Sequence, residues 1–272
     1  MKKFRNKKIL ITGGAGGIGK ALAKSFVVAG ADVCLASRNQ LNLETVVNDL
    51  KNKIVCPTQK VHFSVVDVTD HEAVNKCAHD LTDFLGGIDI LINCAGFSRP
   101  GYFQELPQDI WLKHIQVNYL GTVNTCLAFL PFMIDKHSGQ IINISSAAGF
   151  VGAFGYTAYS ASKFAIVGFS ESLRQEVKAY NIKVSVVYPP DTQTQMLDEE
   201  LKHRPHEMNM LSQSVKPLTP EKVAKSILHG IQKNKVTILP GWDNHFFYLI
   251  NRFSPSLLRL YIDSVIKKHR IK

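Results

Sequence analysis

The 272-residue chain lacks any C-x-x-C pair, and its five cysteines, Cys34, Cys56, Cys77, Cys94 and Cys126, are odd in number. Neither a disulfide framework nor a metal site is expected, and a reducing, cytoplasmic setting fits. No apolar signal segment separates the basic residues 2–8 from the first strand, so secretion is not expected. A basic stripe interleaved with aromatics is also missing. The formal net charge is +10, but five Lys/Arg fall in residues 2–8 and four in 267–272, which leaves the middle close to neutral. That distribution argues against a nucleic-acid partner; the basic ends serve solubility or meet an anionic membrane surface.

What the chain does have is apolar content of 45%, enough for a substantial core, laid out in a regular alternation. Short apolar runs at 8–12, 32–36, 61–66, 88–92, 140–144, 183–188 and 235–240 read as strands. Helical spacing fills the gaps at 20–26, 41–50, 71–84, 109–133, 163–180 and 220–232. The pattern predicts an α/β fold, a single doubly wound Rossmann-type domain with a parallel sheet of about seven strands and helices on both faces. Residues 191–218 show little periodicity and are long for a loop, which suggests a lid. The catalytic domain is therefore expected over 1–240, with a substrate loop at 189–218. Residues 241–272 form an apolar and basic tail.

Between the first strand and helix lies Thr12-Gly13-Gly14-Ala15-Gly16-Gly17-Ile18-Gly19. Such a loop offers backbone N–H groups at a helix N-terminus to a phosphate, and it lacks the lysine of an ATP-type loop. Its T-G-x-x-x-G-x-G spacing departs from G-x-G-x-x-G, so the loop alone leaves the ligand open. The second strand ends at Ser37-Arg38, where a dinucleotide fold reads the adenosine ribose. An acidic residue there would suit NAD; serine and arginine suit the 2′-phosphate of NADPH. Asp67 after the third strand either caps its helix or faces adenine.

Tyr159 and Lys163 are four apart, so on a helix they share a face and a ligand. A free tyrosine titrates near ~10, and a neighbouring lysine could lower that. Ser146 follows the strand 140–144, at the sheet edge where α/β folds bind ligands. A lone Tyr and Lys at this spacing is more often a solvated pair, and Asn118 within 109–133 reads first as a buried amide satisfied by the backbone.

Taken together, Thr12-Gly13…Gly17-Ile18-Gly19, Asn93-Cys94-Ala95-Gly96, Asn118, Ser146 and Tyr159…Lys163 occur in an order and spacing that resemble the short-chain dehydrogenase/reductase family from Lys8 to about Leu239. The resemblance implies a catalytic set of Asn118, Ser146, Tyr159 and Lys163. It also implies an NADPH site formed by Gly13, Gly17, Ile18, Gly19, Ser37, Arg38, Asp67, Val68, Asn93, Ala95, Gly96, Pro189, Thr192 and Thr194, joined by Tyr159 and Lys163. In this scheme Tyr159 donates a proton, Lys163 lowers the Tyr159 pKa and binds ribose, Ser146 bonds the carbonyl, and Asn118 positions a water.

The stretches Phe150–Ile166 and Tyr188–Thr194, with Pro189-Pro190 where most members carry Pro-Gly, resemble the family's reductases of sphingoid ketones. That implies a long-chain amphiphilic ketone substrate, with a 3-oxoacyl thioester, steroid or retinoid as alternatives within the class. A non-catalytic NADP-binding scaffold is disfavoured by the complete catalytic set. In the tail, apolar clusters between Phe246 and Ile266 are broken by Arg252 and Arg259, and none approaches the ~20 residues that span a bilayer. The tail suits either peripheral contact with an anionic membrane or contact with another subunit of a homo-oligomer.

Overall fold

The computed structural model describes residues 4–212 and 216–269; the basic residues Lys2, Lys3, Arg270 and Lys272 lie outside them. Strands β1 (Lys8–Thr12), β2 (Asp32–Ser37), β3 (Val61–Val65), β4 (Ile90–Asn93), β5 (Gly139–Ile144), β6 (Ile182–Val187) and β7 (Thr237–Ile238) pair in parallel. Their order in the sheet is β3-β2-β1-β4-β5-β6-β7. The helices are α1 (Gly17–Val28), α2 (Gln40–Lys51), α3 (His71–Leu85), α4 (Gln108–His114), α5 (Gly121–Asp135), α6 (Thr157–Glu176), α7 (Gln195–Leu201), α8 (His206–Ser212), α9 (Pro220–Gln232), α10 (Trp242–Phe253) and α11 (Pro255–His269).

Side chains alternate between the two sheet faces, so each strand feeds two cores. Ile9, Ile11, Val33 and Leu35 pack with Leu22, Phe26, Val47 and Ile227 of α1, α2 and α9. Leu10, Cys34, Leu91 and Ile141 pack with Leu81, Phe129, Met133 and Leu173 of α3, α5 and α6. Strands buried on both faces must be apolar throughout, which is why they read as continuous runs. The sheet order reverses between β1 and β4, and the crevice beyond those strand ends is where such folds bind ligands.

Three expectations need correction. The segment 191–218 is not an irregular loop: it contains α7, which Thr194 caps by accepting from Leu197 N–H, and α8. The helix expected over 109–133 spans 108–135 but changes to a π-helical turn at Ile115–Leu120, where Gly121 N–H reaches back to Gln116 O. The helix after Lys163 gives way to a 3-10 turn at Val177–Tyr180. Among the described residues, 108–135 alone forms a helix long and apolar enough to cross a membrane. It packs instead against α3 and α6 and carries Asn118 into the interior.

Candidate active site

Strand register lines up one row of ends: Thr12 beside Ala36 and Asn93, Asn93 beside Asn143, and Ile144 beside Val187. The loops that follow face one another across a single cleft. Thr12 Oγ1 accepts from the N–H groups of Cys94 and Ala95 at 3.1 Å each, fixing the glycine loop to the exit of β4. Gly13 has φ +65°, and a Cβ on Gly19 would sit 2.4 Å from the Gly13 carbonyl oxygen. A Cβ on Gly16 would meet nothing within 4 Å, and Gly16 opens α1 without a side-chain cap. Gly17, Ile18 and Gly19 thus form the first turn of a helix beside open space, an arrangement that fits a pyrophosphate.

Arg38, exposed just past Ser37, pairs with Asp67 at 3.6 Å. Partial burial works against the Asp67 charge, but hydrogen bonds from Thr69 and the Arg38 guanidinium hold its carboxyl below the usual range. Val68 packs on Gly121, where a Cβ would lie 2.6 Å from its Cγ2. The Thr194 methyl group covers Gly17, Thr192 Oγ1 donates to Pro190 O at 2.8 Å, and Pro189 O accepts from Ala147 N–H at 2.9 Å. The stretch after β6 is therefore brought against both the glycine loop and the exit of β5.

Asn93 has a structural part besides the expected cofactor contact. Its buried amide donates to Asn143 Oδ1 at 2.8 Å and accepts from Thr125 Oγ1 at 2.6 Å, while Asn143 donates to Ser170 Oγ at 2.8 Å. The side chain is consumed in tying β4, β5, α5 and α6 together. Gly96, three residues on, lies beside Lys163 Nζ and Asn118 Oδ1, at 3.8 and 3.5 Å from its ideal Cβ position.

Tyr159 and Lys163 leave one face of α6, with Lys163 Nζ 5.6 Å from the Tyr159 ring centre. Lys163 is 4% exposed and donates to Ile144 O at 3.0 Å. Burial pulls its pKa down to about 8, against the opposing pull of Cys94 and Glu200. Ser146 stands beside the Tyr159 hydroxyl and accepts from Ala148 N–H at 3.1 Å. The expected depression of Tyr159 by Lys163 is not found. Burial pushes the phenol up, the Glu200 carboxylate adds to this, and Ser146 only partly counters it. A phenol held protonated beside a hydroxyl and an ammonium can give a proton to an oxygen placed among them.

Asn118, fully buried, accepts from Phe97 N–H at 2.8 Å and donates to Phe97 O and Ser162 Oγ at 2.9 Å each. Its amide holds the loop after β4 against α6, and its place in the π turn gives it that reach. His114, one turn earlier, accepts from Arg99 N–H at 3.2 Å, bonds Ile110 O at 2.7 Å and lies 6.0 Å from the Tyr159 ring. Burial holds it below the usual imidazole range.

A second cluster was not anticipated from the sequence. Arg204, its side chain 2% exposed, donates from Nε to Tyr156 OH at 2.7 Å, from Nη1 to Asp191 at 2.8 Å and from Nη2 to Glu200 at 3.3 Å. Tyr156 OH donates to Glu200 Oε2 at 2.8 Å, and its ring centre is 5.8 Å from that of Tyr159. These residues fasten α7 and its following turn over Tyr159 and Lys163. Charged side chains at the buried positions of short helices leave no apolar stripe to read; the only signal was the four-residue spacing of Glu200 and Arg204.

The protein belongs to the short chain dehydrogenase family, whose profile matches residues 7–205; it is an oxidoreductase of the class that uses a nicotinamide dinucleotide. Within the family it is 41% identical to the 3-ketodihydrosphingosine reductase of Mus musculus over 228 residues, covering 83% of this chain and 69% of the relative. It is 37% identical to the 3-dehydrosphinganine reductase of Danio rerio over 244 residues, covering 89% and 74%. The solved short-chain dehydrogenase of Streptomyces avermitilis superposes with a TM-score of 0.79 at 26% identity, covering 98% of this chain and all of that one.

The Lys163 value fixes a pH dependence. Its pKa lies below that of a free lysine, so the ammonium is complete below about pH 8 and is lost above it. At limiting cofactor and ketone, kcat/KM for reduction should be flat up to about pH 8 and fall about tenfold per pH unit beyond. A rate that stays flat to pH 10 would remove the ammonium from the reaction.

Proposed function

We propose that the protein reduces the ketone of 3-ketodihydrosphingosine to dihydrosphingosine in sphingolipid synthesis, using NADPH. The observation that carries this reading is the protonated Tyr159 set between Ser146 and Lys163, in a chain so similar to reductases of that ketone.

The residues suit NADPH. The glycine loop would hold the pyrophosphate, Arg38 the 2′-phosphate, and Lys163 the ribose beside the nicotinamide, with Ala95, Gly96 and Thr194 lining that end. When bound, NADPH supplies the hydride. Ser146 donates a hydrogen bond to the ketone oxygen and keeps it near Tyr159. Tyr159 delivers its proton as the oxygen gains negative charge, so ketone, hydride and proton yield the alcohol. Lys163 stabilises the phenolate left behind, a role its ammonium fills at neutral pH. Asn118 acts as a positioning residue, holding Phe97 and Ser162 in place beside Tyr159 and Lys163.

A long-chain ketone resides in membranes, and the tail is fitted to meet one. Trp242, Phe246, Leu249 and Phe253 repeat at four, three and four residues along α10, which gathers them on one side. Trp242 and Phe253 are 80% and 82% exposed, and Leu257 and Leu260 on α11 are also exposed. Burying each such side chain contributes about 1.5–3 kcal/mol, against about 1 kcal/mol for each basic residue near anionic lipid. The apolar face therefore dominates, and Arg252, Arg259, Lys267 and Lys268 assist. Five free cysteines fit a position on the cytoplasmic side.

Three outcomes check this reading. Tyr159→Phe should retain NADPH binding, read by cofactor fluorescence, while turnover falls at least ~10²-fold; near-normal turnover would exclude Tyr159 as the donor. Arg38→Ala should weaken NADPH much more than NADH, because NADPH alone loses a charge-assisted contact. Equal losses would unseat Arg38 as the phosphate reader. The protein should co-sediment with anionic liposomes, less so at high salt and least after removal of residues 240–272. Sedimentation of protein without lipid, as a larger oligomer, would instead assign the α10–α11 face to a second copy.

A further inference from the structure

The cluster above Tyr159 is acidic in a protein of net charge +10. Two carboxylates, Asp191 and Glu200, share one guanidinium, so the group retains one negative charge. Glu200 is 8% exposed and lies one turn after Met196, whose methyl carbon meets Gly96 beside Lys163 and Asn118. Its carboxylate accepts from Tyr156 and Arg204 at Oε2, and a carboxylate offers about four acceptor directions. Burial makes the charge expensive there, yet its field reaches both Tyr159 and Lys163.

An independent feature sits beside it. Ser98, on the loop that Asn118 fastens, is also 8% exposed, and its Oγ has no hydrogen-bond partner of proper geometry. That hydroxyl lies close enough to the Glu200 carboxylate to favour its charged form. The hydroxyl faces a carboxylate with acceptor capacity to spare, and its own lone pairs are left without a donor. The Glu200 charge supports the Lys163 ammonium for any ketone alike, and proton delivery to a bare ketone calls for no hydroxyl at Ser98.

We propose that Glu200 and Ser98 form a polar subsite that recognises an ammonium on the carbon adjacent to the ketone, so that the enzyme selects amino ketones. This inference rests on the proposed function, because 3-ketodihydrosphingosine carries that amine beside its carbonyl. The ammonium donates to the Glu200 carboxylate and to Ser98 Oγ, cancelling the surplus charge and satisfying the hydroxyl. Ketones without the amine leave both unmet, and an anionic thioester is repelled. Arg204 and Asp191 act by holding Glu200 in place.

The test compares 3-ketodihydrosphingosine with the ketone of equal chain length in which hydrogen replaces the amine, both in the same detergent with NADPH. Wild-type kcat/KM should favour the amino ketone by about 10- to 100-fold, the scale of one charge-assisted hydrogen bond. Glu200→Gln keeps the shape and the bond from Tyr156 but removes the charge, and it should bring the ratio close to one. A Glu200 with only a structural role would slow both ketones together and leave the ratio intact, which would overturn the subsite. Equal wild-type rates on the two ketones would also overturn it while leaving the reductase reading in place. Reduction of neither would overturn that reading and the subsite together. If Glu200→Gln does not fold, as judged by thermal denaturation, the wild-type ratio decides.

Discussion

Holding one ammonium out of water is the constraint on which the rest of this site depends. Lys163 could shed its proton when buried, and it is indeed drawn down to about 8. It keeps the charge at neutral pH because the Ile144 carbonyl takes one of its N–H groups and carboxylate charge lies nearby. This requires α6 to run close over the end of β5. Ser145 Oγ donates to Lys163 O at 2.9 Å, and at Gly149 a Cβ would meet that Oγ at 2.2 Å. A small residue at 149 is thus a condition for the lysine, fourteen residues on, to reach its carbonyl.

Two polar networks flank that lysine, and they differ in kind. Below, the amides of Asn93 and Asn143 join strands and helices without any formal charge. Above, the Arg204 group joins the cover to α6 through ions. A satisfied neutral network rigidifies a core, while a charged one projects a field into the cleft. The cover is also bound to the tail: α11 packs on α8, Asn251 donates to Phe150 O at 2.7 Å, and Asn244 to Tyr188 O at 2.6 Å. The tail is consequently continuous with the walls of the site.

The sheet was legible in the sequence because strands buried on both faces must be apolar, and their ends carried the glycine loop, Ser146 and the Tyr159–Lys163 pair. Boundaries shifted by a residue or two, as at β4, where pairing begins at Ile90 rather than Ile88. The cover was not legible. Its buried positions include Glu200, Arg204 and Glu207, which hydropathy assigns to solvent and only a shared network can bury. The bonds of the Asn93 side chain were not legible for a related reason: its neighbours in sequence line the cleft, but a strand's alternation sends its own side chain inward. The sign of the Tyr159 shift was also beyond sequence, since spacing reveals a neighbouring cation but not the burial that outweighs it.

The π turn at Ile115–Leu120 marks the point where this chain can lose a residue without turning the helix beyond it. Ile110, His114, Asn118 and Thr122 are all buried, each four residues after the last. On an unbroken α-helix a stripe of fours would wander by about 40° at every step. The wide turn takes up that drift and keeps His114, Asn118 and Thr122 in phase with the core. The wide turn holds one residue more than an α-helical turn, so deleting one residue between 115 and 120 would let it relax to a regular helix while everything after it keeps its phase. Thr125 would stay on Asn93, and the loss would fall on the reach of Asn118 to Phe97 and Ser162.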